Sequence, residues 1–290
     1  MKPLPTTDQC AAMKLGIFAK TFTRPTVEEV FDGVVAHGLQ CVQFNFASAG
    51  LPSLPEQIEP ALVERVRQAA SERRIAIAAV SGTFNLIHPD PRQRRDGLRR
   101  LAVIVSVCHT LGAPVITLCT GSRDPENMWQ RHPDNDTPEA WRDLIQSLHA
   151  ALEIAGTCGV TLGIEPEVSN VVDSARKARR LIDEMRSPQL KIILDAANLF
   201  QADELPRQRE ILNEAFDLLG REIVLAHAKE LGHDGHAGGL PLGAGALHWE
   251  HYLLLLREAN FTGSLIMHGF EERQAARSTA FLRSALEKAP

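Results

Sequence analysis

The chain has 290 residues, 44% hydrophobic and 23% charged, the mixture of an ordinary soluble globular protein. Its 31 Lys and Arg against 36 Asp and Glu leave a formal net charge of -5, which supplies no electrostatic reason to expect a nucleic acid or an anionic membrane as partner. No apolar run approaches the roughly 20 residues that cross a bilayer, and the first stretch, "MKPLPTTDQCAAMKLGIFAK", lacks the basic start and apolar segment of a secretion signal. A cytoplasmic location is therefore expected. The cysteines Cys10, Cys41, Cys108, Cys119 and Cys158 are odd in number and form no CxxC pair, which reads as a reduced, mostly buried set.

In chain order, short apolar runs alternate with longer amphipathic stretches. The run "KLGIFA" is followed by the helical pattern "TVEEVFDGVVAHG", then "CVQFNFA" by "PALVERVRQAASERR", and "IAIAAV" by "GLRRLAVIVSVCHTLGA". Next come "PVITLCT" and "TPEAWRDLIQSLHAALEIAGTCG", then "VTLGIE" and "SARKARRLIDEMR". The last three units are "LKIILDAAN" with "PRQREILNEAFDLLG", "EIVLAHAKE" with "HWEHYLLLLREAN", and "GSLIMHG" with "QAARSTAFLRSALEK". Apolar runs without polar alternation suit strands buried on both faces of a parallel sheet, and the intervening helices have the length of crossovers. Eight such units predict a single-domain (β/α)8 TIM barrel over 13–290, preceded by an N-terminal extension at 1–12. A doubly wound open sheet competes less well, because no GxGxxG turn follows the first run. The basic cluster "RQRRDGLRR" reads as the wet face of a helix.

Barrel enzymes carry their chemistry at the C-terminal ends of their strands, so the polar residues that end each run are the informative ones. The fifth run ends in Glu165, the sixth in Asp195, the seventh in His227 and the eighth in His268. Two carboxylates and two imidazoles are ligand types for a divalent ion such as Mn, Co, Zn or, with fewer histidines, Mg, and consecutive strand ends can converge on one ion. Each acid taken singly is equally compatible with a helix cap or a loop hydrogen bond. Lys229 beside His227 is a candidate to polarise a carbonyl, or else to pair with Glu167 or Glu230. Lys20 at the end of the first run is similar. His88, in the loop after the third run, and Glu167, beyond Pro166, are candidate substrate contacts. The long loop 121–136 is expected to cover the mouth, with Trp129 available to stack on a bound substrate and Arg123 available for a carboxylate or phosphate. An apolar patch of Phe44, Phe46, Phe84 and Trp129 is a further candidate for pocket shape. His233 and His236 lie on a Gly-rich loop, whereas His37, His109, His149, His248 and His251 fall in or beside helices and belong to the outer surface.

These residues resemble the xylose isomerase-like TIM barrels, a superfamily of sugar isomerases, sugar epimerases, inosose dehydratases and an apurinic endonuclease branch. The matching features are Glu165 ending the fifth strand, the D-x-x-[HN] of Asp195 and Asn198, and the H-x-K-[DE] of His227, Lys229 and Glu230. The stretch "CTGSRDPENMWQRHPDND" resembles a subset described only as sugar phosphate isomerases or epimerases. The resemblance implies a metal-dependent enzyme with Glu165, Asp195 and His227 as ligands, Asn198 near the substrate, a small carbohydrate as partner, and a homodimer or homotetramer as a common assembly. One position departs from it. The epimerases end the last strand in a second Glu, which shares metal binding and proton exchange with the first; here His268 stands there, and Glu271 and Glu272 follow three and four residues later.

The expected chemistry is removal of a proton beside a metal-polarised carbonyl to give an enediolate, with Glu165, His268 and Lys229 as the catalytic candidates. Returning the proton makes an isomerase or epimerase of a sugar, keto-sugar or polyol derivative. Expelling a β-substituent makes a dehydratase or lyase on a keto-sugar or inosose. An abasic-site endonuclease needs extra His and Asp ligands and a basic surface, and a non-catalytic sugar-binding protein would bind ligand without exchange chemistry.

Overall fold

The computed structural model describes residues 13–288, so the extension expected at 1–12, with Cys10, lies outside the described residues. Eight apolar runs form the strands β1 (Lys14–Phe18), β2 (Cys41–Phe44), β3 (Ala76–Ser81), β4 (Val115–Cys119), β5 (Thr161–Glu165), β6 (Leu190–Asp195), β7 (Ile223–Ala228) and β8 (Ser264–Met267). They alternate with helices α1 (Val27–Ala36), α2 (Pro60–Glu72), α3 (Pro91–Leu111), α4 (Pro138–Gly156), α5 (Ala175–Met185), α6 (Gln208–Leu219), α7 (Trp249–Glu258) and α8 (Ala275–Lys288). Several helices begin where the sequence signals it. Thr26, Asp90, Thr137 and Ser174 accept backbone N–H bonds as N-caps, and Pro91 and Pro138 sit in the first turn, where no N–H is needed.

All neighbouring strands pair in parallel in sequence order, and β1 pairs with β8 to close a (β/α)8 barrel, as the eight repeated units predict. Outside the barrel, the apolar faces of the helices pack on the strands to form the main core. Inside it, a second apolar cluster made by Cys41, Ala79, Val115, Ile193, Leu225 and Ile266 plugs the barrel. β1 and β5 place glycines at this level because no side chain fits. A Cβ on Gly16 would lie 2.6 Å from Ile266 Cδ1, and one on Gly163 would lie 2.3 Å from Ile193 Cδ1.

Successive residues of a strand point to opposite faces, so the inward residue above each plug residue is two positions further along. That step gives Phe18, Gln43, Ser81, Thr117, Glu165, Asp195 and His227 on the first seven strands, and His268 immediately after β8. The polar centre is thus one layer above the plug, at the C-terminal end of the barrel. Of the expected aromatic patch, Phe44, Phe46 and Phe84 belong to the core instead. Phe44 and Phe46 stack edge to face at 5.2 Å, and Phe84 covers Gly97 of α3.

Candidate metal centre

Four side chains on consecutive strand ends come together. Glu165, Asp195, His227 and His268 each offer one ligand atom, and these atoms all lie within 4.8 Å of one another. Donors about 2.0–2.2 Å from a shared ion are separated by up to about 4.4 Å, so small side-chain adjustments suffice, and two carboxylate oxygens with two imidazole nitrogens suit a borderline divalent metal. Glu271 and Glu272 do not join the group. Glu271 is tied into a capping box with Gln274, and Glu272 pairs with Arg24 on the surface. His268 therefore occupies the fourth corner.

The hydrogen bonds fix this group tightly. His268 Nε2 lies 2.9 Å from Asp195 Oδ2, and Lys229 Nζ donates to the same oxygen at 3.0 Å. Lys229 also donates to Asn198 Oδ1, whose amide N–H donates to Glu165 Oε1 at 2.6 Å. His227 turns Nδ1 toward Glu165 Oε1 at 3.4 Å and Nε2 toward Gln43 Oε1 at 2.8 Å. Phe18 packs against both imidazoles, 5.6 Å from His227 and edge-on at 4.9 Å from His268. Lys229 thus points inward, and its partners are Asp195 and Asn198 rather than a surface ion pair with Glu167 or Glu230.

The charges are matched inside a site that excludes most water. Burial opposes ionisation of Asp195, but Lys229 and the hydrogen bonds from His227 and His268 hold its carboxyl well below the usual range. Burial likewise disfavours the His227 imidazolium, and the carboxylates of Glu165 and Asp195 outweigh it, lifting His227 to about 9. Its neighbour goes the other way. Burial and the adjacent His227 push His268 down to about 4 despite its bond to Asp195, so its imidazole is neutral near pH 7. Two carboxylates face one ammonium and one imidazolium.

A cavity of about 410 Å³ opens onto this group. One side carries the charged Glu165 and Lys229 with the neutral His268 imidazole; the other carries Gln43, Asn45, Ser81, Thr83 and Thr117, which are neutral amides and hydroxyls. Lys20 lies at the edge, its ammonium 5.2 Å from the Phe18 ring, and Met128 and the half-exposed Trp129 close the mouth. The loop that carries them is fastened down. Buried Asn170 accepts from Gly121 N at 2.6 Å and donates to Met128 O at 3.3 Å, and Arg131 reaches Val168 O at 3.1 Å.

Three expected substrate contacts are held away from the cavity. Glu167 anchors the loop behind the site, accepting from Ser169 N and from Asn170 Nδ2 at 2.8 Å; burial raises it to about 7, Lys229 opposing. Arg123 donates to Ile87 O at 2.9 Å and to Asp143 of α4 at 2.7 Å. His88 clamps the same region, with Nε2 3.1 Å from Pro125 O and Nδ1 accepting from Asp90 N. The loop histidines His233 and His236 are exposed, and His37, His109, His149, His248 and His251 stay on the helical surface as expected. Lys20, Asn198 and Trp129 do line the cavity. Sequence reasoning missed Phe18, Gln43, Ser81 and Thr117; the signal was their two-residue offset from the plug. It read Glu230 only as a motif residue and a possible partner of Lys229. That fully buried carboxylate accepts from Leu231 N, Gly243 N, Leu247 N and Trp249 Nε1, so it organises the loop after β7.

Residues 31–285 match the model of the xylose isomerase-like TIM barrel family, and the chain belongs to that family. Among solved structures it is similar to an L-ribulose 3-epimerase, with 16% identity and a TM-score of 0.75 over 96% of this chain and 95% of that one. It is also similar to 3-keto-D-glucoside 4-epimerase from E. coli, with 20% identity and a TM-score of 0.73 over 94% and 99%. A third is the D-psicose 3-epimerase of Clostridium cellulolyticum H10 with D-tagatose, at 17% identity and 0.72 over 94% and 99%. At such identities the likeness is one of fold. Among the described residues no helix is long and apolar enough to cross a membrane.

Proposed function

We propose that the protein is a divalent-metal-dependent isomerase or epimerase of a sugar, keto-sugar or polyol derivative. The observation that carries this reading is the convergence of Glu165, Asp195, His227 and His268 within 4.8 Å at the floor of a polar cavity. The solved structures of similar fold named for sugar epimerases support the substrate class. A divalent ion held by these four residues supplies Lewis acidity toward a sugar carbonyl and its neighbouring hydroxyl.

The remaining work falls to the chain's own groups. Glu165 is the carboxylate placed to take the proton from the carbon beside the carbonyl; Asn198 orients it by donating to Oε1 while Oε2 stays clear of that bond. Lys229 offsets the charge of Asp195 and keeps it in place. The amides and hydroxyls of β2, β3 and β4 offer donors and acceptors for the hydroxyls of a neutral sugar, and among the described residues no arginine lines the cavity to bind a phosphate. Trp129 and Met128 cover the bound face and limit water. Stripping the protein of metal, resupplying Mn²⁺ and following solvent deuterium into a broad sugar panel tests the reading. Exchange into at least one sugar is expected, and its absence across the panel removes the proposal.

A second reading rests on His268. A neutral imidazole bonded to Asp195 stands where the resemblance implies a second glutamate, so a carboxylate base is present on one side of the cavity only. One-sided proton removal also serves β-elimination, the dehydratase or lyase outcome. Product mass separates the two, because isomerisation conserves it and dehydration loses water.

A further inference from the structure

We infer that Gln43 is a positioning residue that fixes the tautomer of His227 and so makes Nδ1 the atom offered to a metal ion. The inference rests on the metal-dependent reading above.

Gln43 is the penultimate residue of β2, on the opposite side of the barrel from the four candidate ligands, and is 1% exposed. A histidine binds a metal through an unprotonated nitrogen, and the hydrogen bond made by the other nitrogen decides which one that is. In His227 the two nitrogens face different chemistry. Nδ1 lies 3.4 Å from Glu165 Oε1 and 3.8 Å from Asp195 Oδ2, within the candidate ligand set, whereas Nε2 faces Gln43 Oε1 at 2.8 Å.

The glutamine is itself oriented. Its amide nitrogen has two hydrogens and two hydroxyl acceptors in reach, Thr117 Oγ1 at 2.9 Å and Ser81 Oγ at 3.2 Å. With both N–H groups spent there, the carbonyl faces His227 and accepts from Nε2–H, so the proton that a metal ion would displace from the imidazolium is the one on Nδ1, beside the carboxylates. A reversed amide would present N–H to Nε2, send the ring proton to Nδ1 and block it as a ligand. The Phe18 ring packed on His227 holds the imidazole plane against the alternative. Three strands of the neutral half thereby set the valence of a group on the charged half.

Zn²⁺ affinity, measured by competition with a chromophoric chelator on the full-length protein, tests this together with ¹⁵N-histidine NMR of the Zn²⁺-loaded form. Gln43→Leu is expected to weaken Zn²⁺ binding roughly 10- to 100-fold. Gln43→Glu, which keeps an acceptor at the same reach, should stay closer to wild type, and Thr117→Val should lose a smaller factor than the leucine variant. The NMR spectrum should show the His227 proton on Nε2. Wild-type affinity in Gln43→Leu, or a proton on Nδ1 in the loaded protein, overturns the inference while leaving the metal site standing. A wild-type protein that binds no Zn²⁺, Mn²⁺ or Co²⁺ overturns both this and the proposed function. Should Gln43→Leu fail to fold, Thr117→Val decides: a severalfold loss supports the inference, and unchanged affinity ends it.

Discussion

The two halves of the barrel carry the same backbone plan and opposite chemistry. β5 to β8 deliver Glu165, Asp195, His227 and, just past the last strand, His268, whereas at the same height β1 to β4 deliver Phe18, Gln43, Ser81 and Thr117. Every one of these stands two residues beyond a plug position, so the difference lies in side-chain identity alone. Charge confined to one arc lets the carboxylates share Lys229 and His227 as counter-charges at short range, where a dry site makes such pairing effective. The other arc needs no counter-charges, since amides and hydroxyls satisfy one another, as Gln43 does with Ser81 and Thr117. On the proposed function, one half serves reactivity and the other recognition.

The sharpest way to break this division is to remove its most buried charge. Asp195→Ala leaves buried Lys229 without its ion-pair partner and His227 with Glu165 alone, and should cost about 3–5 kcal/mol of stability; denaturant unfolding of the metal-free protein measures it. An unchanged midpoint would mean that the charged arc is not held by internal pairing. Glu165→Gln keeps the shape and removes the base, so solvent deuterium exchange into the substrate should fall roughly 100- to 10,000-fold. Thermal melts with Mn²⁺ or Zn²⁺ at a hundred times the dissociation constant should report about 2.7 kcal/mol of added stability. That gain should vanish in Asp195→Ala.

The neutral arc predicts smaller effects of a different kind. Ser53, which also lines the cavity, and Thr83 each offer one hydroxyl, so Ser53→Ala and Thr83→Val should each raise KM by about fivefold, the worth of roughly 1 kcal/mol, with kcat nearly unchanged. A fall in kcat alone would move these residues into the reacting half. Arg123→Ala has the least to do with turnover. Steady-state kinetics should show no change in KM, while loss of its bonds to Asp143 and Ile87 should cost about 1 kcal/mol in an unfolding titration.

The same contrast explains what could be read in the sequence. The fold was legible because eight apolar runs and eight amphipathic stretches leave a parallel barrel as the consistent solution. Glu165, Asp195, His227 and His268 were legible because metal-ligand types end four consecutive buried runs, although each acid alone could be a cap or a loop hydrogen bond. Gln43, Ser81 and Thr117 were not, because neutral amides and hydroxyls at strand ends are unremarkable in composition; only the phase relative to Cys41, Ala79 and Val115 marks them. Phe18 looks like core. Arg123 and His88 were placed on the correct side of the barrel, but their orientation depends on Asp143, Asp90 and Pro125, partners chosen by the packing of the loop onto α3 and α4. Glu167 sits two residues past Glu165, yet once β5 ends and the chain turns at Pro166 the strand phase no longer applies.

That phase has a consequence for how this centre tolerates change. Because each functional residue is addressed by parity along its strand, a substitution alters one group, whereas a one-residue insertion anywhere between plug and centre swaps inside for outside on that strand. The ladder already contains two register shifts, at Val42/Gln43 between β2 and β3 and at Ile192/Ile193 between β6 and β7, the first directly before Gln43 and the second at the plug residue below Asp195. These offsets act as spelling corrections, bringing Gln43 and Asp195 into frame with their neighbours, and deleting either should misplace a whole residue column rather than a single side chain.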